Sequence, residues 1–143
     1  YATLYALAPS PHEAATIWTG SDDGLLHVTR DSGNSWSNVT PPDMPAHTRI
    51  TIIDVSPHDA ATAYVAGIRY EMDDRSPYAW RTNDYGSSWT KIVDGIPPGD
   101  FVRVIREDPY RKGLLYSGTE NGVYVSFDDG DSWQSLQRNL PPV

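Results

Sequence analysis

Thr29-Arg30-Asp31-Ser32-Gly33-Asn34-Ser35-Trp36 returns as Thr82-Asn83-Asp84-Tyr85-Gly86-Ser87-Ser88-Trp89 and again as Ser126-Phe127-Asp128-Asp129-Gly130-Asp131-Ser132-Trp133. A hydroxyl, an aspartate, a glycine, a serine and a tryptophan keep their places each time. Asp31 to Asp84 is 53 residues and Asp84 to Asp128 is 44, near the span of a four-stranded repeat of about 40 to 50 residues. Within each octet the aspartate can fold its carboxylate onto nearby backbone N–H groups and the glycine can take a positive φ. The motif therefore reads as a turn clamp between two strands. The tryptophan then starts an outer strand with a large apolar ring to press on the neighbouring strand.

Working outward, Pro11, Pro57 and Pro109 are each followed seven residues later by an aromatic, Trp18, Tyr64 or Tyr116, and two residues on by Gly20, Ala66 or Gly118. Apolar or alternating runs, Leu4 to Ala8, Ile50 to Val55 and Phe101 to Ile105, precede the prolines and read as inner strands ending at a turn. A Pro-Pro pair closes each unit: Pro41-Pro42, Pro97-Pro98 and Pro141-Pro142. Each repeat is then strand, proline turn, strand, glycine turn, strand, Asp motif, strand, which is a blade of an all-β propeller. Over 1–143 the reading is one propeller segment of about three four-stranded antiparallel blades, at 4–42, 49–98 and 101–142.

The bulk composition agrees. Twelve prolines, eleven glycines, nine tyrosines and five tryptophans suit short strands and tight turns. The net charge of −8 argues against a general affinity for nucleic acid, and no run is long and apolar enough for membrane insertion as a helix. Without cysteine there is no disulfide or thiolate metal site.

The three octets resemble the Asp-box, or BNR repeat, of sialidases, sortilin-like receptors and xyloglucan-cleaving glycoside hydrolases. Val55 to Ala66 and Gly113 to Trp133 are most similar to bacterial sortilin-like and glycosyl-hydrolase-like propeller proteins. The resemblance implies that Asp31, Gly33, Trp36, Asp84, Gly86, Trp89, Asp128, Gly130 and Trp133 are structural, on the blade periphery and away from a central site. It also implies an extracytoplasmic location: periplasmic, cell-surface or secreted.

The second blade is longer than the others, and its surplus lies between Gly67 and Ala79. Arg69, Tyr70, Glu71, Asp73, Asp74, Arg75 and Tyr78 are the ligand-binding candidates there, since loops that depart from a rigid scaffold tend to carry binding residues. Guanidinium and phenol groups suit a carbohydrate or peptide ligand by hydrogen bonding and stacking. The plainer alternative is a longer hairpin whose charges pair with one another. Glu71, Asp73 and Asp74, or Asp128, Asp129 and Asp131, suggest a calcium ion, but neither spacing matches a known calcium loop, and no cofactor or metal site is assigned.

For glycoside hydrolysis Asp54, Glu107 and Asp108 are the inner-strand carboxyls to weigh, although a turn explains Asp108; no residue is assigned as catalytic. Arg49, Arg69, Arg103 and Arg106 do not resolve into a sialidase arginine set, and His12 and His58 share one place after the turn proline. Three blades leave two faces open, so the expected partners are the remaining blades of a parent chain or a second copy of this one. The leading reading is a non-catalytic binding or scaffold module of a larger protein. The alternatives are part of a glycoside hydrolase whose acids are completed by missing blades, and an architectural part of a surface assembly.

Overall fold

A computed structural model describes residues 4–69 and 72–136. Twelve strands fall into three four-stranded antiparallel sheets, each in simple sequential order. The first sheet holds β1 (Leu4–Pro9), β2 (Ile17–Ser21), β3 (Leu26–Thr29) and β4 (Ser37–Asn38). The second holds β5 (Arg49–Val55), β6 (Ala63–Arg69), β7 (Asp74–Thr82) and β8 (Thr90–Lys91). The third holds β9 (Val102–Glu107), β10 (Leu115–Thr119), β11 (Val123–Ser126) and β12 (Gln134–Ser135). The register aligns the repeats: Trp18 pairs with Ala8 and Val28, Tyr64 with Asp54 and Arg81, and Tyr116 with Arg106 and Val125.

The Asp motif is built the same way three times. Asp31 Oδ1 accepts the Thr29 hydroxyl at 2.8 Å and the Ser35 amide at 2.8 Å, while Thr29 Oγ1 accepts the Gly33 amide at 2.9 Å. Thr82, Asp84, Gly86 and Ser88 repeat this set at 2.8 Å for all three bonds, and Ser126, Asp128, Gly130 and Ser132 at 2.7, 2.9 and 2.8 Å. The chain turns through two consecutive positive-φ residues, Ser32-Gly33, Tyr85-Gly86 and Asp129-Gly130. Glycine takes that conformation without the Cβ penalty, and the clamp over-determines it for the residue before. The turn is tied to the proline turn of its own sheet by Ser32 N to Ala15 O, Tyr85 N to Ala61 O and Asp129 N to Gly113 O, at 2.9 to 3.0 Å.

The tryptophans differ from the sequence expectation in what they press on. Trp89 and Trp133 reach across to the preceding sheet rather than along their own. Trp89 Nε1 donates to Val39 O at 2.6 Å, and Trp133 Nε1 to Ile92 O at 2.9 Å. Both acceptors lie three residues after the previous tryptophan. The motif glycines make room for the same residues, since a Cβ on Gly86 would meet Val39 at 2.7 Å and one on Gly130 would meet Ile92 at 2.9 Å. His12 Nε2 and His58 Nε2 make matching cross-sheet bonds to Ser56 O and Asp108 O, both 2.8 Å, which gives their shared position a structural use.

Two apolar clusters fill the two joints. Ala6, Trp18, Leu26, Val28, Ile50, Ile53 and Val65 lie between the first and second sheets, where the Trp18 and Trp89 rings meet edge-on at 6.3 Å. Tyr64, Ala66, Ile92, Val102, Ile105, Leu115 and Trp133 lie between the second and third. The core is thus between sheets, not within a closed barrel. The outer strands are only two residues long, and much of the second-blade surplus extends β6 and β7 instead of forming an open loop. Tyr70, Glu71 and the pair Pro141-Pro142 lie outside the described residues.

Burial of the indole predicts an asymmetry between first and last motifs. Trp133→Ala lowers unfolding free energy by about 3 to 5 kcal/mol, the usual cost of a large aromatic removed from a packed site. Trp36→Ala, at an exposed ring, costs clearly less. Urea or thermal denaturation of the two variants checks the order.

Candidate functional site

In an antiparallel meander the first and third turns share one end of the sheet and the second turn lies at the other. The proline turns and Asp motifs therefore occupy one end of every blade. The glycine-turn hairpins and the starts of the inner strands occupy the opposite end, and the cleft described next lies there.

That cleft has a volume of about 540 Å³ and is lined by Arg49, Thr51, Ile68, Arg75, Phe101, Arg103 and Glu120. It spans the joint between the second and third sheets: Arg49 and Thr51 come from β5, Ile68 from β6, Arg75 from β7 and Arg103 from β9. Phe101 is buried just before β9, with the Arg103 guanidinium 4.9 Å and the Arg75 guanidinium 6.0 Å from its ring centroid, a placement that favours the cation over the ring face. Arg103 Nη2 meets Glu120 Oε2 at 2.6 Å, with Nε of the same arginine at 3.2 Å.

Glu120 is held in place by its own hairpin. Buried Asp100 accepts the Thr119 hydroxyl at 2.8 Å and the Asn121 amide at 2.9 Å, and the Glu120 amide donates to Phe101 O at 3.0 Å. One carboxylate thus locks the β10–β11 hairpin against the entry to β9. Two guanidiniums, Arg75 and Arg103, then stand at one phenyl ring, and Arg49 and a single carboxylate, Glu120, complete the charged groups among the lining residues.

The seven sequence candidates separate. Arg75 lines the cleft. Arg69, Asp74 and Tyr78 form a knot of their own: Arg69 Nη1 donates to Asp74 Oδ2 at 2.7 Å and Arg69 Nε to Ala46 O at 3.0 Å. The Tyr78 hydroxyl and the Ser76 amide also bond Asp74. The Tyr78 hydrogen bond, above all, holds the Asp74 carboxyl far below the usual range. These charges pair with one another, as the plainer sequence alternative has it. Asp73 is exposed at a positive φ of 60°, and Tyr70 and Glu71 fall outside the described residues. Arg49, Phe101, Arg103 and Glu120 were missed as a set. The available signal was topological, because inner-strand starts share an end with the surplus hairpin.

The carboxyls weighed for hydrolysis lie at the other end and have structural partners. Glu107 is buried, accepts the Ser56 hydroxyl and takes the Gly113 amide at 2.8 Å. Asp54 accepts the Glu107 amide at 3.0 Å and Arg106 Nη1 at 3.3 Å, and Asp108 caps the amides of Tyr110 and Arg111 at 2.8 and 3.0 Å. Burial pushes the Asp54 carboxyl up against the opposing Glu107 amide. Burial likewise raises Asp129, which receives the Tyr64 hydroxyl. Among the described residues no group of three or more His, Cys, Asp or Glu side chains could hold a metal ion.

No family model matches the chain. Two curated relatives do, both Vacuolar protein sorting/targeting protein 10. That of Uncinocarpus reesii is 37% identical over 73 residues, and that of Laccaria bicolor 31% identical over 108. These matches cover 50% and 73% of this chain but only 4% and 7% of the relatives, so the chain spans a small fraction of their length. Among solved structures, an ancestral GH74 enzyme superposes at a TM-score of 0.75 and 23% identity over 93% of this chain and 18% of its own. YCF48 bound to D1 peptide superposes at 0.72 and 23%, over 94% and 41%.

The chain is a segment of a β-propeller. Its three sheets share their fold with the blades of the GH74 structure, its sequence is similar to a stretch of the two sortilin-like relatives, and it is a module of the kind found in larger proteins. Among the described residues no helix is long and apolar enough to cross a membrane.

The Asp motifs set the blades' response to acid. In each, the serine hydroxyl four residues on bonds the carboxylate and, with the other clamp bonds, holds Asp31, Asp84 and Asp128 below their ordinary range. Carboxyls lowered in the fold stabilise it above their unfolded pKa, and that stability is lost as pH falls through the folded value. Asp54 and Asp129 are raised, so they weaken the fold at neutral pH and give that back on acidification. The lowered set is larger, so the melting temperature should fall as pH drops below about 4. Asp84→Asn should start lower and fall less over that interval; equal slopes would refute the assignment.

Proposed function

We propose that this propeller segment is a binding module of a larger protein, and that the cleft of Arg49, Arg75 and Arg103 receives a carboxylate-bearing stretch of peptide or protein. The observation behind this reading is that three arginines, from β5, β7 and β9, line one cleft, two of them with guanidiniums at the buried Phe101 ring, in a protein of net charge −8. A local basic cleft on an acidic molecule selects for anionic ligands and steers their approach. Guanidinium pairs with carboxylate in a planar fork, so acidic side chains are favoured over amides. The relatives' name, a protein of vacuolar sorting and targeting, and the peptide held by YCF48 support a protein or peptide ligand over a glycan. An extracytoplasmic setting belongs to the same proposal.

The glycoside-hydrolase alternative draws no support from Asp54, Glu107 and Asp108, whose carboxylates hold the blade joint and a turn. The module binds its ligand and leaves it intact.

Calorimetric titration with a pair of peptides, one carrying adjacent Asp and Glu residues and its twin the corresponding amides, tests the reading. The acidic peptide binds more tightly and weakens with salt. Arg75→Gln reduces its affinity by about tenfold, the value of one charge-assisted hydrogen bond. Equal binding of both peptides, or release of reducing sugar from xyloglucan by the larger protein through these blades, would overturn it.

A further inference from the structure

Each sheet carries one extra residue at the same rung of its inner strand. Leu4 and Ala6 pair with the adjacent residues Ser21 and Gly20, Ile50 and Ile52 with Gly67 and Ala66, and Val102 and Val104 with Thr119 and Gly118. Tyr5, Thr51 and Arg103 are therefore the unpaired residues of three aligned bulges, a device that re-aims a side chain. Two of them, Thr51 and Arg103, line the cleft. The Thr51 hydroxyl donates to Ala66 O within its own sheet at 3.2 Å, whereas Arg103 turns its charge to Glu120. Both nitrogens on one edge of the guanidinium, Nε and Nη2, donate to Glu120 Oε2, at 3.2 and 2.6 Å. That edge is one a ligand carboxylate would use, and an acid of the protein's own already occupies it.

The pair has no architectural duty. In the second sheet the same two places hold Thr51 and Ile68, and both partners belong to the third sheet, so no joint depends on them. Nor is the pair knotted like its neighbour. Asp74 takes Arg69, the Tyr78 hydroxyl and the Ser76 amide, and the paired side chains are 20% and 22% exposed. Among the described residues the Glu120 carboxylate is bonded to Arg103 alone, with Arg103 59% and Glu120 34% exposed. The hairpin lock fixes the Glu120 backbone and aims the side chain, but an ion pair this open to water is worth little. Its carboxylate can turn out to solvent while the hairpin stays in place.

We infer that Glu120 is the resident competitor of the ligand acid: binding exchanges the Glu120 carboxylate on Arg103 for one carried by the peptide, and Glu120 thereby sets how much affinity that acid must bring. The inference rests on the acid-binding reading of the cleft. The exchange replaces one ion pair on Arg103 by another, so the net gain there is smaller than a bare guanidinium would give. Removing the competitor releases the difference.

Calorimetric titration of the acidic peptide into the wild type, Glu120→Gln, Arg103→Gln and the double variant forms a cycle that tests this, with a thermal melt of each variant to show that it is folded. Glu120→Gln tightens the acidic peptide by about threefold to fivefold, the value of an exposed ion pair. In the Arg103→Gln background the same change leaves the affinity within about twofold. Glu120→Asp, which keeps the charge and shortens its reach, also tightens binding. Weaker or unchanged binding by Glu120→Gln, in a protein that still prefers the acidic peptide to its amide twin, overturns the inference alone, because Glu120 then positions Arg103 or is inert. An equal gain with and without Arg103 also overturns it, since the effect is then one of net charge. Equal binding of the two peptides by the wild type overturns the acid-binding reading and this inference together.

Discussion

A four-stranded sheet with apolar residues on both faces needs a neighbour on each side, and the joint between consecutive sheets is the interaction on which everything else here rests. Its directional part, repeated in both joints, is a tryptophan indole donating to a carbonyl three residues past the previous tryptophan and a histidine ring bonding a carbonyl of the next sheet. The surrounding apolar burial is non-directional and supplies most of the energy. The indole bond fixes how far one sheet can slide on the next. The Asp clamp matters because it aims the tryptophan. A carboxylate and a hydroxyl, holding two consecutive positive-φ residues, set the direction in which the outer strand leaves the turn.

The clamp end and the cleft end of each blade have different chemistry. At the clamp end, polar groups hold the joints: histidine to carbonyl in both, and in the second joint also Glu107 to the Ser56 hydroxyl and Tyr64 to Asp129. At the other end the hairpins differ from blade to blade, from the short Asp22-Asp23-Gly24 turn to the extended β6–β7 arm, and their local locks differ too, Asp74 in the second blade and Asp100 in the third. Variation is tolerated where no repeat contact depends on the backbone, so a binding surface can develop there without loss of the joints.

The architecture was legible because each blade repeats the same local chemistry. The Asp-Gly-Trp spacing and the turn prolines fix strand count and order within each blade, and the structure has the three four-stranded antiparallel sheets they imply. The partner of the tryptophan was not legible, because a sequence pattern gives the position of a ring within its own repeat and not the sheet it will touch. The cleft was half legible. Arg75 stood out as part of the surplus in the second blade, but Arg49, Phe101 and Arg103 sit at regular strand positions and come together only through packing of the second sheet on the third. Asp74 attracted notice as a carboxylate in a loop. Register places it opposite Arg69, four residues before Tyr78, and the three neutralise one another.

The residue between the aspartate and glycine of each motif is one of the places where the three clamps differ: Ser32, Tyr85 and Asp129. It projects toward the preceding sheet, where the Tyr85 hydroxyl bonds Glu13 beneath the Arg30 guanidinium, and Asp129 receives Tyr64 and Arg81. Exchanging the second and third sheets would set Asp129 against Glu13, carboxylate on carboxylate. Near-identical repeats are prone to pairing with the wrong neighbour while they fold. This slot gives each joint its own polar signature, so the sequential order of the blades is encoded at their junctions as well as in the covalent chain.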